Sequence, residues 1–317
     1  MRKLLAVMLG TLLIVFSCTG CLFAVDPVDT YETQIEEIPQ SKKTNINVQL
    51  DEEIMRQIEQ ASENSMVRHN SKTGETEVID FGASLGEYGM STSGGSVAVQ
   101  SENSDRIIVG PDDRYEITNV NQYPYRTMTF LRVEYPDGYS AVGSGVMVGN
   151  RTVLTAGHVV NHEYHGWADE ITVYPGGINS RYDQTVTSDV ACPTQWASTH
   201  AEEYDYGIIN LEETMSVGYL NLTALSDSQL LWKDVSIYGF PGDMMQQGTM
   251  WGAEGSIRAV EDLLFLHDVD TMGGSSGSPV LDENNTVIGV HGGWDNADHN
   301  RAVKVTNTVI AYVNNYL

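Results

Sequence analysis

The sequence predicts an all-β domain of antiparallel sheets, folded as sandwiches or barrels, across residues 107–317. Two observations carry this. Short apolar runs recur along that stretch and are split by turns rich in Gly, Pro, Asp and Asn, the pattern of many short strands joined by tight connections. Only the final segment, TNTVIAYVNNYL, has the spacing of a good helix.

The opening MRKLLAVMLGTLLIVFSCTGCLFA has a charged start, Arg2 and Lys3, and an apolar stretch from Leu4 to Phe16. That is the layout of a secretory signal, too short and wrongly flanked for a membrane span. Residues 1–24 are expected to be removed after Ala24; lipid attachment at Cys18 or Cys21 is the alternative. Residues 25–106 read as a propeptide, partly disordered. DPVDTYETQIEEIPQSKK is polar and acidic, LDEEIMRQIEQASENSM sets Leu50, Ile54 and Ile58 on one helical face, and STSGGSVAVQSENSDR has the composition of an accessible loop.

The texture changes at Ile107. TMTFLRVEYPDGYSAVGSGVMVGNRTVLTAGHVV reads as strands split at Pro-Asp-Gly, Gly-Ser-Gly and Gly-Asn. Further strand runs follow at ITVYPGG, YGIINLE, DVSIYGFPGD, LLFLHDVD, SPVLDENNTVIGVHGG and RAVKVT. The closing helix is expected to start with Asn307 or Thr308 as its cap.

The chain has 317 residues, 43 Asp and Glu against 17 Lys and Arg, and a formal charge of −26. So acidic a surface repels phosphate backbones, which argues against nucleic-acid binding. Of three cysteines only Cys192 lies beyond the leader, so the exported domain forms no internal disulfide and depends on its core. With no basic neighbour, Cys192 reads as a structural thiol.

The run DTMGGSSGSPV carries the chemistry. Glycines at 273, 274 and 277 surround Ser276 and allow backbone angles that bring main-chain N–H groups against a substrate. The N–H groups of Gly274 and Ser276 are the candidates for an oxyanion hole. A serine needs a base. His158 in TVLTAGHVV and Asp205 in EYDYGIINL supply one, in the chain order His, Asp, Ser that one of the unrelated triad folds uses. His158, His162 and His165 also raise a metal reading, but HEYH lacks the two-residue gap of a zinc-protease helix.

The blocks TAGHVV, YDYGIINL and GGSSGSPV resemble the triad segments of trypsin-like serine proteases. VGPDDRYEITNVNQYPYRTM, IYGFPGDMMQQGTMW and DTMGGSSGSPV are similar, more narrowly, to the bacterial glutamyl endopeptidases, the V8-like branch. The resemblance spans 107–317 and implies two six-stranded antiparallel barrels with the site in the cleft between them. It implies His158, Asp205 and Ser276 as catalytic residues of an acyl-enzyme pathway. Thr271, His291 and Gly292 would then line the primary substrate pocket and receive a Glu side chain, with Asp a weaker substrate.

Asp270 is a competing cue, since trypsin keeps at that place the Asp that selects Lys and Arg; basic or broad specificity is the alternative, and a catalytically silent binding homologue is another. Ser275 stands where trypsin has its activation Asp, as in the V8-like branch. Alignment with the family's mature start implies activation between Arg106 and Ile107. No cofactor is expected. The Asp-rich loops GPDD and DENN read either as turns or as calcium loops. The expected partners are protein and peptide substrates, and the expected form a secreted, extracellular monomer made as a zymogen.

Overall fold

The computed structural model describes residues 52–82, 108–294 and 299–317. The leader with Cys18 and Cys21, the loop-like stretch around residue 95, Leu50, and the expected cleavage position between Arg106 and Ile107 lie outside them.

Helix α1 (Glu52–Gln60) forms where the apolar spacing places it, with Ile54 buried and Ile58 packed against the core. A hairpin follows, β1 (Ser65–Asn70) and β2 (Glu75–Asp80), where the sequence reading has no strand. The chain continues through β3 (Tyr115–Glu116), β4 (Met128–Glu134), β5 (Ser140–Met147) and β6 (Thr152–Thr155). It then passes a single turn, α2 (Gly157–Val160), the short pair β7 (Asn161–His162) and β8 (Gly166–Trp167), and β9 (Glu170–Pro175). Next come β10 (Thr185–Thr187), β11 (Asp189–Pro193), α3 (Thr194–Thr199) and β12 (Gly207–Asn210).

The first barrel is read from the ladders. β5 pairs with β4 and β6, β4 with β9, and β6 with β12. Residues 185–193 form one extended path broken at Ser188: β10 pairs with β9 and β11 with β12. This path closes a ring of six strands. The hairpin then attaches to the other edge of β11 through β1.

The second barrel takes α4 (Asp227–Leu230), β13 (Asp234–Gly239), β14 (Trp251–Val260), β15 (Leu264–His267), β16 (Pro279–Leu281), β17 (Val287–Trp294) and β18 (Asn300–Lys304). Its order is β13-β16-β17-β18-β15-β14, and a direct β13–β14 ladder closes it. Both barrels are thus six-stranded and antiparallel. Every strand run of the sequence reading from residue 107 onward falls in one of them. Helix α5 (Asn307–Asn315) ends the chain.

Leu131, Val133, Met147, Val153 and Ile209 fill the first barrel; Ile237, Ile257, Phe265, Val280 and Ile288 fill the second. A third cluster draws Met128, Phe130, Phe240, Leu281 and Tyr312 from both barrels and α5. Burying each such side chain contributes about 1.5–3 kcal/mol, so the domain holds without a disulfide. Cys192 is a buried free thiol, and burial pushes its ionisation well above the ordinary range, as a structural thiol requires.

Three local expectations are corrected. Gly143-Ser144-Gly145 is not a turn but the middle of β5, because a Cβ at Gly145 would meet Val153 at 2.7 Å and Thr129 at 2.8 Å. The cap of α5 is Thr306, whose hydroxyl accepts from the Val309 N–H at 3.3 Å; Asn307 is already helical. The short helices α2, α3 and α4 precede it, each too brief to show a 3.6-residue period. Among the described residues no helix is long and apolar enough to cross a membrane.

Candidate active site

The cleft between the barrels gathers the site from both. His158 lies in α2, just after β6. Gly157 lets this turn seat closely: a Cβ there would stand 2.9 Å from the Trp196 ring. The buried Tyr135 hydroxyl donates to the Val159 carbonyl at 3.0 Å and pins the same turn. Asp205 precedes β12 and is buried. Its Oδ2 lies 2.8 Å from His158 Nδ1, and its Oδ1 accepts the His158 main-chain N–H at 2.8 Å.

That contact assigns the proton to Nδ1 and leaves Nε2 as the basic nitrogen. Burial by itself would raise the Asp205 carboxyl. The charge on His158, its two hydrogen bonds and the more distant Arg301 outweigh burial and hold it below the usual carboxylate range. Gly292 lies against the same carboxylate, where a Cβ would stand 2.9 Å from Oδ2. Its place in the site is therefore beside Asp205.

Ser276 sits in the loop between β15 and β16. Gly274 and Gly277 adopt φ of +94° and +86°, a region that side chains avoid. The Ser275 N–H donates to Met272 and the Ser278 N–H to Ser275, both at 2.9 Å, which folds the loop into two successive turns. Among the described residues the Gly274 and Ser276 N–H groups donate no hydrogen bond, whereas their carbonyls are held. Ser144 does this from β5: its N–H donates to the Ser276 carbonyl and its Oγ to the Gly274 carbonyl, each at 2.8 Å. On the other flank the Gly277 N–H donates to the His291 carbonyl at 2.8 Å.

These contacts set the serine loop beside the turn that carries the Asp205–His158 pair. A Cβ on Gly277 would stand 2.8 Å from the Ala156 nitrogen, so the serine loop lies against the chain just before His158. Ser144 and Tyr135 are the residues that sequence reasoning missed. Two glycines around a serine inside an apolar run signal close backbone approach, and that signal could have found Ser144.

Thr271 and His291 are both buried in the second barrel. His291 Nδ1 has no hydrogen-bond partner among the described residues. Burial, then the neighbouring His267, push its ionisation far below the ordinary imidazole range. His267, also missed, stands edge-on behind it at 5.5 Å between ring centres.

Asp270 is differently employed. Its carboxylate accepts the main-chain N–H of Val109 at 2.6 Å and of Asp113 at 3.1 Å. It ties the 109–113 stretch to the second barrel.

A family described as "Trypsin-like peptidase domain" matches residues 143–290. A glutamyl endopeptidase of Bacillus licheniformis is 32% identical over 230 residues, 67% of this chain and 70% of that one. The chain belongs to the trypsin-like serine peptidases of the glutamyl endopeptidase family.

A solved glutamyl endopeptidase structure, 26% identical, superposes with a TM-score of 0.60 over 66% of this chain and 98% of that one. The chain is also 35% identical over 213 residues to a protein of Bacillus subtilis named an extracellular metalloprotease, covering 64% of this chain and 67% of that one. Among the described residues no three His, Cys, Asp or Glu are grouped to hold a metal ion. His165 Nδ1 is paired with Asp137 at 2.6 Å. In the DENN loop, Asp282 Oδ1 accepts the Asn284 and Thr286 N–H groups at 2.9 Å each, as an ordinary turn does. This serine endopeptidase acts on peptide bonds, and its substrates are proteins and peptides.

Proposed function

We propose that this peptidase cleaves after Glu, and more weakly after Asp, through Ser276, His158 and Asp205, and that it is secreted as a zymogen opened between Arg106 and Ile107. The observation that carries the mechanism is the 2.8 Å contact between His158 Nδ1 and Asp205, which turns Nε2 into the base. In this reading Nε2 takes the Ser276 proton as Oγ attacks the substrate carbonyl. The Gly274 and Ser276 N–H groups receive the oxyanion, a contribution of roughly 10²–10³ in rate per donor. His158 then returns the proton to the leaving amine, and water releases the acyl group by the reverse steps.

The specificity rests on two buried carboxylate and imidazole environments. The Asp270 carboxylate is engaged by the main-chain donors of Val109 and Asp113, so its oxygens are turned to the 109–113 stretch and are less free to pair with a Lys or Arg side chain. Among the described residues the buried Nδ1 of His291 has no partner, and in this reading a substrate carboxylate supplies an acceptor, with the Thr271 hydroxyl as a second donor.

The test is a panel of peptides varying only the residue before the cut. Glu peptides should lead, Asp should follow and Arg should trail. His291→Gln should lower kcat/KM for Glu about 30- to 100-fold, the loss of one hydrogen bond to a charged group in a dry site. Faster turnover of Arg than Glu peptides would refute the pocket assignment, and full activity of Ser276→Ala would refute the mechanism.

A further inference from the structure

The segment 52–82 lies upstream of the expected activation cleavage, yet it is built into the first barrel. Strand β1 runs antiparallel to β11 with five residues in register, from Met66 opposite Pro193 to Asn70 opposite Asp189. Its two apolar side chains, Met66 and Val67, are both fully buried. They point to opposite faces: Met66 joins the cluster shared by both barrels and Val67 the interior of the first.

Polar contacts fix the register. Arg68 grips Asp189 with two nitrogens, at 2.8 and 2.5 Å, and Asp189 also accepts from Asn210 of β12 at 2.8 Å. The buried Ser65 hydroxyl meets Thr194 at 2.8 Å, and the Tyr312 hydroxyl of α5 donates to the Ser65 carbonyl at 3.3 Å. Phe81 packs tilted against Tyr312 with ring centres 4.8 Å apart. Beyond the hairpin, the hydrogen bonds of Ser65 and Arg68 reach β11, α3 and α5.

From this geometry we propose that residues 52–82 are a strand-donating part of the working enzyme, which stays bound to the first barrel without a covalent link after the chain is cut between Gly82 and Ile108. A segment that only masked the cleft would lie across the nucleophile and leave on activation. This one fills core positions and satisfies an edge strand whose exposure would otherwise invite aggregation. Its removal would empty the Met66 and Val67 sites and leave Asp189 without its guanidinium. It would also loosen α3, which carries Trp196 beside His158, ring centres 6.5 Å apart. The interaction surface is the free edge of β11 with the faces of α3 and α5, and its partner is the chain's own N-terminal hairpin.

The test uses the full exported chain carrying Ser276→Ala, so that self-digestion is absent and the result does not depend on the specificity reading. Residues 92–98 are replaced by the recognition sequence of an unrelated site-specific protease, and the chain is cut there. On gel filtration at neutral pH and micromolar protein, the released fragment should co-elute with the protease domain in equal amounts and separate only in denaturant. Arg68→Ala, a substitution at a partly exposed side chain, should weaken retention roughly tenfold, and Met66→Asp should abolish it. Amide exchange in the uncut chain should protect residues 66–70 as strongly as 190–193. Release of the fragment with the remaining domain still folded and equally resistant to heat would overturn the proposal, as would equal retention in the Met66→Asp chain.

Discussion

The two barrels hold their halves of the site by different physics. The first holds the proposed base through charge: Asp205 grips both the ring and the main chain of His158, and its ionisation is held down by that pairing. The second holds the proposed nucleophile through shape: two left-handed glycines and the main-chain hydrogen bonds of Ser275, Gly277 and Ser278 fold the turns around Ser276. The first barrel should therefore fail when a charge is removed, and the second when a methyl group is added.

The largest effect is expected at Asp205. Asp205→Asn keeps the volume but presents the wrong partner to Nδ1, and kcat should fall by about 10⁴ while the domain stays folded. Kinetics combined with circular dichroism measure both. Acid reaches the same contact. Because the Asp205 ionisation is lowered in the folded state, its contribution to stability is present above the ordinary Asp range and is lost as pH falls through the lowered value. The Asn variant should show a correspondingly flatter acid limb in pH-dependent unfolding.

Gly277→Ala is the matching break on the other side. The added Cβ meets the Ala156 nitrogen at 2.8 Å and the Ser144 carbonyl, at a φ of +86°. Loss of about 3 kcal/mol or more of unfolding free energy is expected, together with loss of activity, by denaturant titration. If the variant is as stable as the parent, the serine loop is not wedged against the first barrel as described.

The smallest effect belongs to Asp270→Asn. The amide still accepts one of the two main-chain donors from Val109 and Asp113, so unfolding free energy should drop by only about 1 kcal/mol. The ratio of Glu to Arg cleavage should be unchanged. A swing in that ratio would mean that Asp270 reads the substrate after all.

Much of this was legible in the sequence where apolar runs and turn residues alternate. The strands from TMTFLRVE to RAVKVT behave as their composition dictates, and the blocks around His158, Asp205 and Ser276 stand out through small residues at strand ends. The hairpin at 65–80 was not legible. Its buried pair, Met66 and Val67, is adjacent in sequence because β1 is covered on both faces, so no alternation marks it, and Arg68 and His69 give it a polar look.

Gly-Ser-Gly at 143–145 misled for a related reason: the glycines that suggest a turn are there to let two other segments approach β5. Asp270 and His267 depend on contacts far along the chain, Val109 for one and His291 for the other. Local sequence cannot report these.

The most direct test of the central claim is labelling of the processed enzyme with a peptide phosphonate carrying Glu before the reactive phosphorus, followed by mass spectrometry. A single adduct on the Ser276 hydroxyl, lost in His158→Ala and slowed in Asp205→Asn, is the result the account predicts. An enzyme that keeps cleaving Glu peptides with Ser276 unmodified, or that is inactivated through a different residue, would contradict it.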